Sequence, residues 1–224
     1  MPITPFATIL DAARTRHGAA AVEARLPRPK SPEELAGTPD DRYLSQMSLR
    51  VFRAGLKHSL VDAKWPAFEE AFAAFDPRRV RAMSDEAIEA LLGNAKLIRH
   101  FGKLKSVRDN AAAMITIADE HGSFGAWLAR WPCSDIVGLW EALAKRFSQM
   151  GGNSAPTFLR MAGKDTFVLT PSVTTALKHW GAFQRPPKNR KDREAVQACF
   201  NVWAAETARP LCQLSLILAA STDD

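Results

Sequence analysis

The chain has 224 residues, 46% of them hydrophobic, and carries 30 Lys and Arg against 24 Asp and Glu, for a net charge of +6 and a pI near 9.5. That length and apolar content suit one globular domain, or one domain in two lobes, with ample core. No apolar run reaches the roughly eighteen residues of a membrane span. The N-terminus lacks a signal-peptide pattern, which makes a cytoplasmic protein the default expectation. Cys133, Cys199 and Cys212 are too few and too scattered for a disulfide framework or a Cys-rich metal site.

Ala, Leu, Glu and Lys abound and β-branched runs are scarce, a helical bias. Thr4-Pro5 predicts a first helix, running to about Arg25 with Phe6, Ile9, Leu10 and Ala13 on one face. Leu26 to Pro39 holds four prolines and a glycine and reads as a linker. The expected division is therefore an N-terminal helix and linker over 1–39 and a main domain over 40–224. Asp40 opens a helix to about Arg53, ended by Ala54-Gly55. A short helix over Ser59–Ala63 is expected next, then another from Trp65-Pro66 whose Phe68, Ala71, Phe72 and Phe75 form an apolar stripe.

Ser84 caps a helix over Asp85–Leu92, with acids in its first turn as the helix dipole favours. The apolar positions from Leu97 to Ala118 trace one long face, interrupted near Gly102 and stopped at His121-Gly122. Ser123 caps a short helix and Ser134 opens another to Phe147. A tight turn comes next at Met150-Gly151-Gly152. A helix then opens at Asn153 or Ser154 and closes at Gly163. Thr170-Pro171 starts a helix to about Trp180, and a last helix from near Lys191 is expected to kink at Pro210. Roughly ten helices and almost no strand make an all-α protein.

Two features of this order point to chemistry. Helix, glycine turn, helix lets the main chain approach a phosphate closely and turns the next helix's amides towards the anion. Between Lys145 and Arg193 stand ten Lys or Arg against Asp165 and Asp192, a basic excess where a nucleic-acid backbone would pass. Gly151-Gly152, Gly163, and then Thr170 seven residues later resemble the helix-hairpin-helix DNA glycosylases. Upstream lie Phe52-Arg-Ala-Gly-Leu-Lys-His58, Trp65, Phe68-Glu-Glu-Ala-Phe-Ala-Ala-Phe-Asp-Pro77, Leu97-Ile-Arg-His-Phe-Gly-Lys103, Asn110-Ala111 and Gly122-Ser123-Phe124. Their order and spacing resemble the 3-methyladenine DNA glycosylase I family, over roughly Asp40 to Val173.

The resemblance implies an all-α helix-hairpin-helix glycosylase fold with two helical lobes around a cleft. It implies a monofunctional hydrolase that removes alkylated purines such as 3-methyladenine from double-stranded DNA. It places a backbone anchor at Gly151, Gly152, Asn153 and Ser154, supported by Arg99, Lys103, Lys145, Arg146 and Lys164. The base-pocket candidates are Arg50, Phe52, His58 and Trp65. The family's pocket glutamate falls on Arg50 and its stacking tryptophan on His58. The aspartate that many hairpin glycosylases carry after the hairpin falls on Thr170, which can also cap a helix, and Asp165 is the one acid close by. These two are the catalytic candidates. An alkylated base is already a good leaving group, so activity without that carboxylate is compatible with the pattern. The family's zinc ligands have no counterparts, and no metal, cofactor or lyase step is expected. A monomer is expected. The alternative is a non-catalytic module of the same fold that grips damaged or bent DNA.

Overall fold

The computed structural model describes residues 3–222, and among them fourteen α-helices and no strand. No helix among the described residues is long and apolar enough to cross a membrane. The helices fall into two units. One holds residues 3–30, Pro132–Leu139 and residues 163–222; the other holds Ser31–Trp131 and Trp140–Ala162. The prolines of the sequence suggest a boundary after residue 39, whereas the contacts begin the second unit at Ser31.

In the first unit, α1 (Phe6–His17) and α2 (Ala19–Ala24) replace the single expected helix. Gly18 at φ 82° separates them, a backbone angle open to glycine at little cost. Phe6, Ile9 and Ala13 are fully buried, α1 packs on α14 (Leu211–Ala220), and Phe6 lies 5.6 Å from Trp203. Phe167 stacks on Phe200 at 4.3 Å, which places the apolar stretch after Gly163 in this core. The expected kink at Pro210 is a full break. α13 (Arg190–Thr207) ends at Ala208 in the left-handed region, and α14 starts anew.

The second unit opens with α3 (Pro32–Ala36), inside the stretch that reads as a linker. Ser31 and Glu34 form a reciprocal capping box and Pro32 fills the first helical position, which together stabilise so short a helix. α4 (Asp40–Arg53) buries Tyr43, Leu44, Met47, Val51 and Phe52 at helical spacing, and it packs on α5, α8, α9 and α11. Thus α4 forms the axis of this unit. α5 (His58–Ala71) runs unbroken through Pro66, where the sequence suggests two helices. Burial of Val61 and Phe68 on either side of the proline outweighs the hydrogen bond it removes. Ala73, Ala74 and Phe75 then turn left-handed, at φ 51°, 56° and 59°.

α6 (Pro77–Arg81) and α7 (Asp85–Ala90) come next, capped by Asp76 and Ser84. α8 (Phe101–His121) begins at the expected interruption, where His100 accepts from the Lys103 amide. α9 (Phe124–Arg130) presses against α3, and a β-carbon on Gly125 would run into the Leu35 carbonyl. α10 (Ile136–Arg146) leads to the hairpin, α11 (Ser154–Ala162) leaves it, and α12 (Pro171–His179) belongs to the first unit.

Candidate nucleic-acid interface and base site

The hairpin is anchored from below and open above. Phe147 and Met150 are buried, 3% and 0% exposed, and fix the two ends of the turn in the core. Between them Gln149 takes φ 65°, and Gly152 takes φ 58°. Gly151, Gly152 and Asn153 are exposed, and a β-carbon on either glycine would meet nothing within 4 Å. The glycine main chain is therefore bare to whatever approaches it.

Asn110 of α8 holds this turn in place. Its Oδ1 accepts from the Ser148 amide at 2.7 Å and its Nδ2 donates to the Ser148 carbonyl at 3.2 Å, with the side chain itself 1% exposed. The sequence singles out Asn110 only as part of a resemblance; its polar side chain among apolar helix positions is the signal of a buried clamp. Ser154, expected to offer its amide, donates it to the Gly151 carbonyl at 3.1 Å, and Pro156 has no amide hydrogen. The first turn of α11 thus has neither a Ser154 nor a Pro156 amide hydrogen free to face outward. Lys145 and Arg146 are exposed at the end of α10, and Arg146 pairs with Glu120 at 3.3 Å on the surface.

The base-site candidates are brought onto α4 and α5 but play different parts. Phe52 is fully buried, 4.5 Å from Phe68, and so is core rather than pocket wall. His58 is exposed at the first position of α5. Trp65 is half-buried, its ring near-parallel to those of Phe68 at 5.0 Å and Phe75 at 5.4 Å. A chain of hydrogen bonds fixes its edge. The indole Nε1 donates to Ser45 Oγ at 3.1 Å, Ser45 donates to Glu69 at 2.7 Å, and Arg42 grips both Glu69 oxygens at 3.1 and 3.2 Å. Arg42 also donates to the Ala74 carbonyl at 2.6 Å, tying the left-handed turn to the same network.

Arg50 is half-buried, and its Nε is shielded without a hydrogen-bond partner. Burial, and then the charge of Arg53, lowers the Arg50 guanidinium from its ordinary pKa. Lys103 lies close enough to feel Arg50, and burial together with that charge lowers its ammonium as well. Its Nζ donates to the carbonyls of Ala54 at 2.7 Å and Phe52 at 3.3 Å, closing the C-terminus of α4. Lys103, expected beside a phosphate, thus has a helix-capping task. Arg99 is exposed just before α8.

Three candidates lie in the other unit, and the structure gives each a structural part. Asp165 accepts from the Leu211 amide at 2.9 Å and the Cys212 amide at 2.8 Å, capping α14 with both oxygens. Thr170 accepts from the Val173 amide at 3.2 Å as the N-cap of α12. Lys164, expected at the DNA surface, is only 4% exposed, and burial lowers its ammonium while Cys133 and Asp165 oppose the shift. Among the described residues no group of three or more His, Cys, Asp or Glu could hold a metal ion.

Residues 36–150 match the profile of a family described as methyladenine glycosylase. The DNA-3-methyladenine glycosylase of Haemophilus influenzae is 37% identical over 76 residues, which are 34% of this chain and 41% of that protein. The match therefore spans about two fifths of that relative's length. A crystal structure of 3-methyladenine DNA glycosylase I superposes with a TM-score of 0.51 at 26% identity, covering 65% of this chain and 87% of the other. The 8-oxoguanine glycosylase/lyase of Methanocaldococcus jannaschii, solved with DNA, superposes with a TM-score of 0.53 over 95% of this chain and 94% of its own. At 13% identity that is a likeness of fold alone.

Proposed function

Because the chain belongs to the methyladenine glycosylase family, we propose that it is a monofunctional DNA glycosylase removing alkylated purines, 3-methyladenine among them, from double-stranded DNA. Its fold is the helix-hairpin-helix glycosylase fold. The observation that carries the proposal is the family match from residue 36 to residue 150, which takes in α4, α5, α8 and the lead into the hairpin. The exposed Gly151-Gly152 turn adds a place for the phosphate backbone.

A glycosylase must turn the target nucleotide out of the stack before it can act. The glycine turn and the exposed Lys145 give a backbone anchor for that step. In the reaction the C1′–N bond of the cationic nucleotide breaks, its electron pair leaves with the base, which departs neutral, and water adds its oxygen to C1′ and releases one proton to solvent. Alkylation makes the base a good leaving group, so little help is needed at the sugar. That suits a chain whose Asp165 and Thr170 are engaged as helix caps. The reading carries with it a cytoplasmic protein that works as a monomer.

Incubation with methylated duplex DNA and mass analysis of the liberated bases tests this. Free 3-methyladenine or another alkylated purine, formed in proportion to enzyme, is the expected result. Salt-sensitive duplex binding with no base released would overturn the enzymatic reading and leave a binding module.

A further inference from the structure

Helix α4 carries four polar side-chain atoms that are buried without a hydrogen-bond partner, Asp41 Oδ1, Gln46 Oε1, Ser48 Oγ and Arg50 Nε, and the second and fourth of these share one side of the helix. Gln46 Oε1 and Arg50 Nε are both shut off from solvent with no hydrogen-bond partner. They stand four residues apart and so lie one turn apart on a single helical face. Buried groups of this kind are normally paired, and an orphaned donor and acceptor together call for a ligand. Lys103, which feels the Arg50 charge, donates to the Ala54 and Phe52 carbonyls and carries no acceptor that could satisfy Arg50 Nε. The hairpin's second helix, α11, packs on α4, so this face and the glycine turn share one unit.

We propose, resting on the glycosylase function, that Arg50 selects alkylated guanine over alkylated adenine, and that guanine alkylated at N3 is the preferred base. A guanidinium holds five N–H donors in one plane and has no acceptor. Guanine sets two acceptors side by side, O6 and N7, the pair that arginine reads bidentately in duplex DNA. N3-alkylation leaves both free. Adenine places its N6 amino group where guanine has O6, so donor faces donor. An N3-alkylated nucleotide of either base carries positive charge, which Arg50 and its cationic neighbours oppose alike. The guanine acceptors offset that repulsion and the adenine amino group does not. Gln46 Oε1, one turn away, supplies an acceptor for the N1–H beside O6.

The test uses the full chain and one duplex preparation methylated to contain both 3-methylguanine and 3-methyladenine. Initial release rates of the two bases, each normalised to its lesion content, give a ratio within a single digest, so a misfolded fraction cancels. The wild type is expected to favour 3-methylguanine. Arg50→Gln should lower the ratio by about tenfold or more. Arg50→Lys keeps the charge but loses the planar fork, and it should lower the ratio as well. A wild type that frees 3-methyladenine as fast or faster, or a ratio unmoved in Arg50→Gln, overturns the selectivity and leaves the glycosylase reading standing. Release of other alkylated purines but neither of these overturns the selectivity alone, and release of no alkylated purine by the wild type overturns both.

Discussion

Replacing Asp165 by alanine separates a structural carboxylate from a catalytic one. Its two oxygens accept from the first amides of α14 at 2.9 and 2.8 Å. The residue before that helix, Pro210, supplies no side-chain cap of its own. α14 in turn buries Leu211, Leu214, Ile217 and Leu218 in its unit's core. Loss of a helix cap costs about 0.5–2 kcal/mol, and leaving a buried amide unpaired costs about 1–3 kcal/mol. These bonds are part-buried, so water compensates some of the loss, and a total of about 2–3 kcal/mol is expected. For a chain of this size that lowers Tm by about 4–12 °C. Asp165→Asn keeps one acceptor and should lose about half as much. Thermal unfolding gives the stability, and base release at a temperature where the variant is fully folded gives the activity. A melting point within about 1 °C of wild type would refute the capping argument. A fall in release of about a hundredfold per folded molecule would assign the carboxylate to the sugar cation instead.

Gly151→Ala adds one methyl group where nothing lies within 4 Å, at a position whose φ is not positive. Tm should stay within about 1 °C of wild type while affinity for an abasic duplex, read by fluorescence anisotropy, falls by about tenfold. Asn110→Ala removes both bonds to Ser148, and it should cost about 1–3 kcal/mol in urea unfolding and weaken the same binding. Glu23 accepts from Arg209 and Arg14, and those bonds hold its carboxyl below the usual glutamate range. A depressed folded pKa gives stability that is present above the unfolded value and lost as pH falls through the folded one. The Tm difference between wild type and Glu23→Gln should therefore be full at neutral pH and shrink below about pH 4.

Much of the fold was legible because local signals and tertiary packing agree. Asp40 to Arg53, the Ser84 and Ser123 caps and the Gly151-Gly152 turn all stand where capping and turn chemistry put them. Helix α3 was readable too, since Ser31-Pro-Glu-Glu carries a capping box; the surrounding prolines masked it. Continuity of α5 through Pro66 was not readable, because side-chain burial decides it. The site obeys the same rule. Exposure of the glycine turn stems from composition, whereas burial of Lys164 and the double grip of Asp165 on α14 depend on partners distant in the chain.

Trp65 is held by the stacked rings of Phe68 and Phe75 and at its nitrogen by a relay that runs through Ser45, Glu69 and Arg42 to the Ala74 carbonyl. Such an indole has no slack to swing aside or settle around a guest. If a base lies against its exposed part, that base meets a fixed template, and choice there would come from turning away the wrong outline rather than from moulding to the right one.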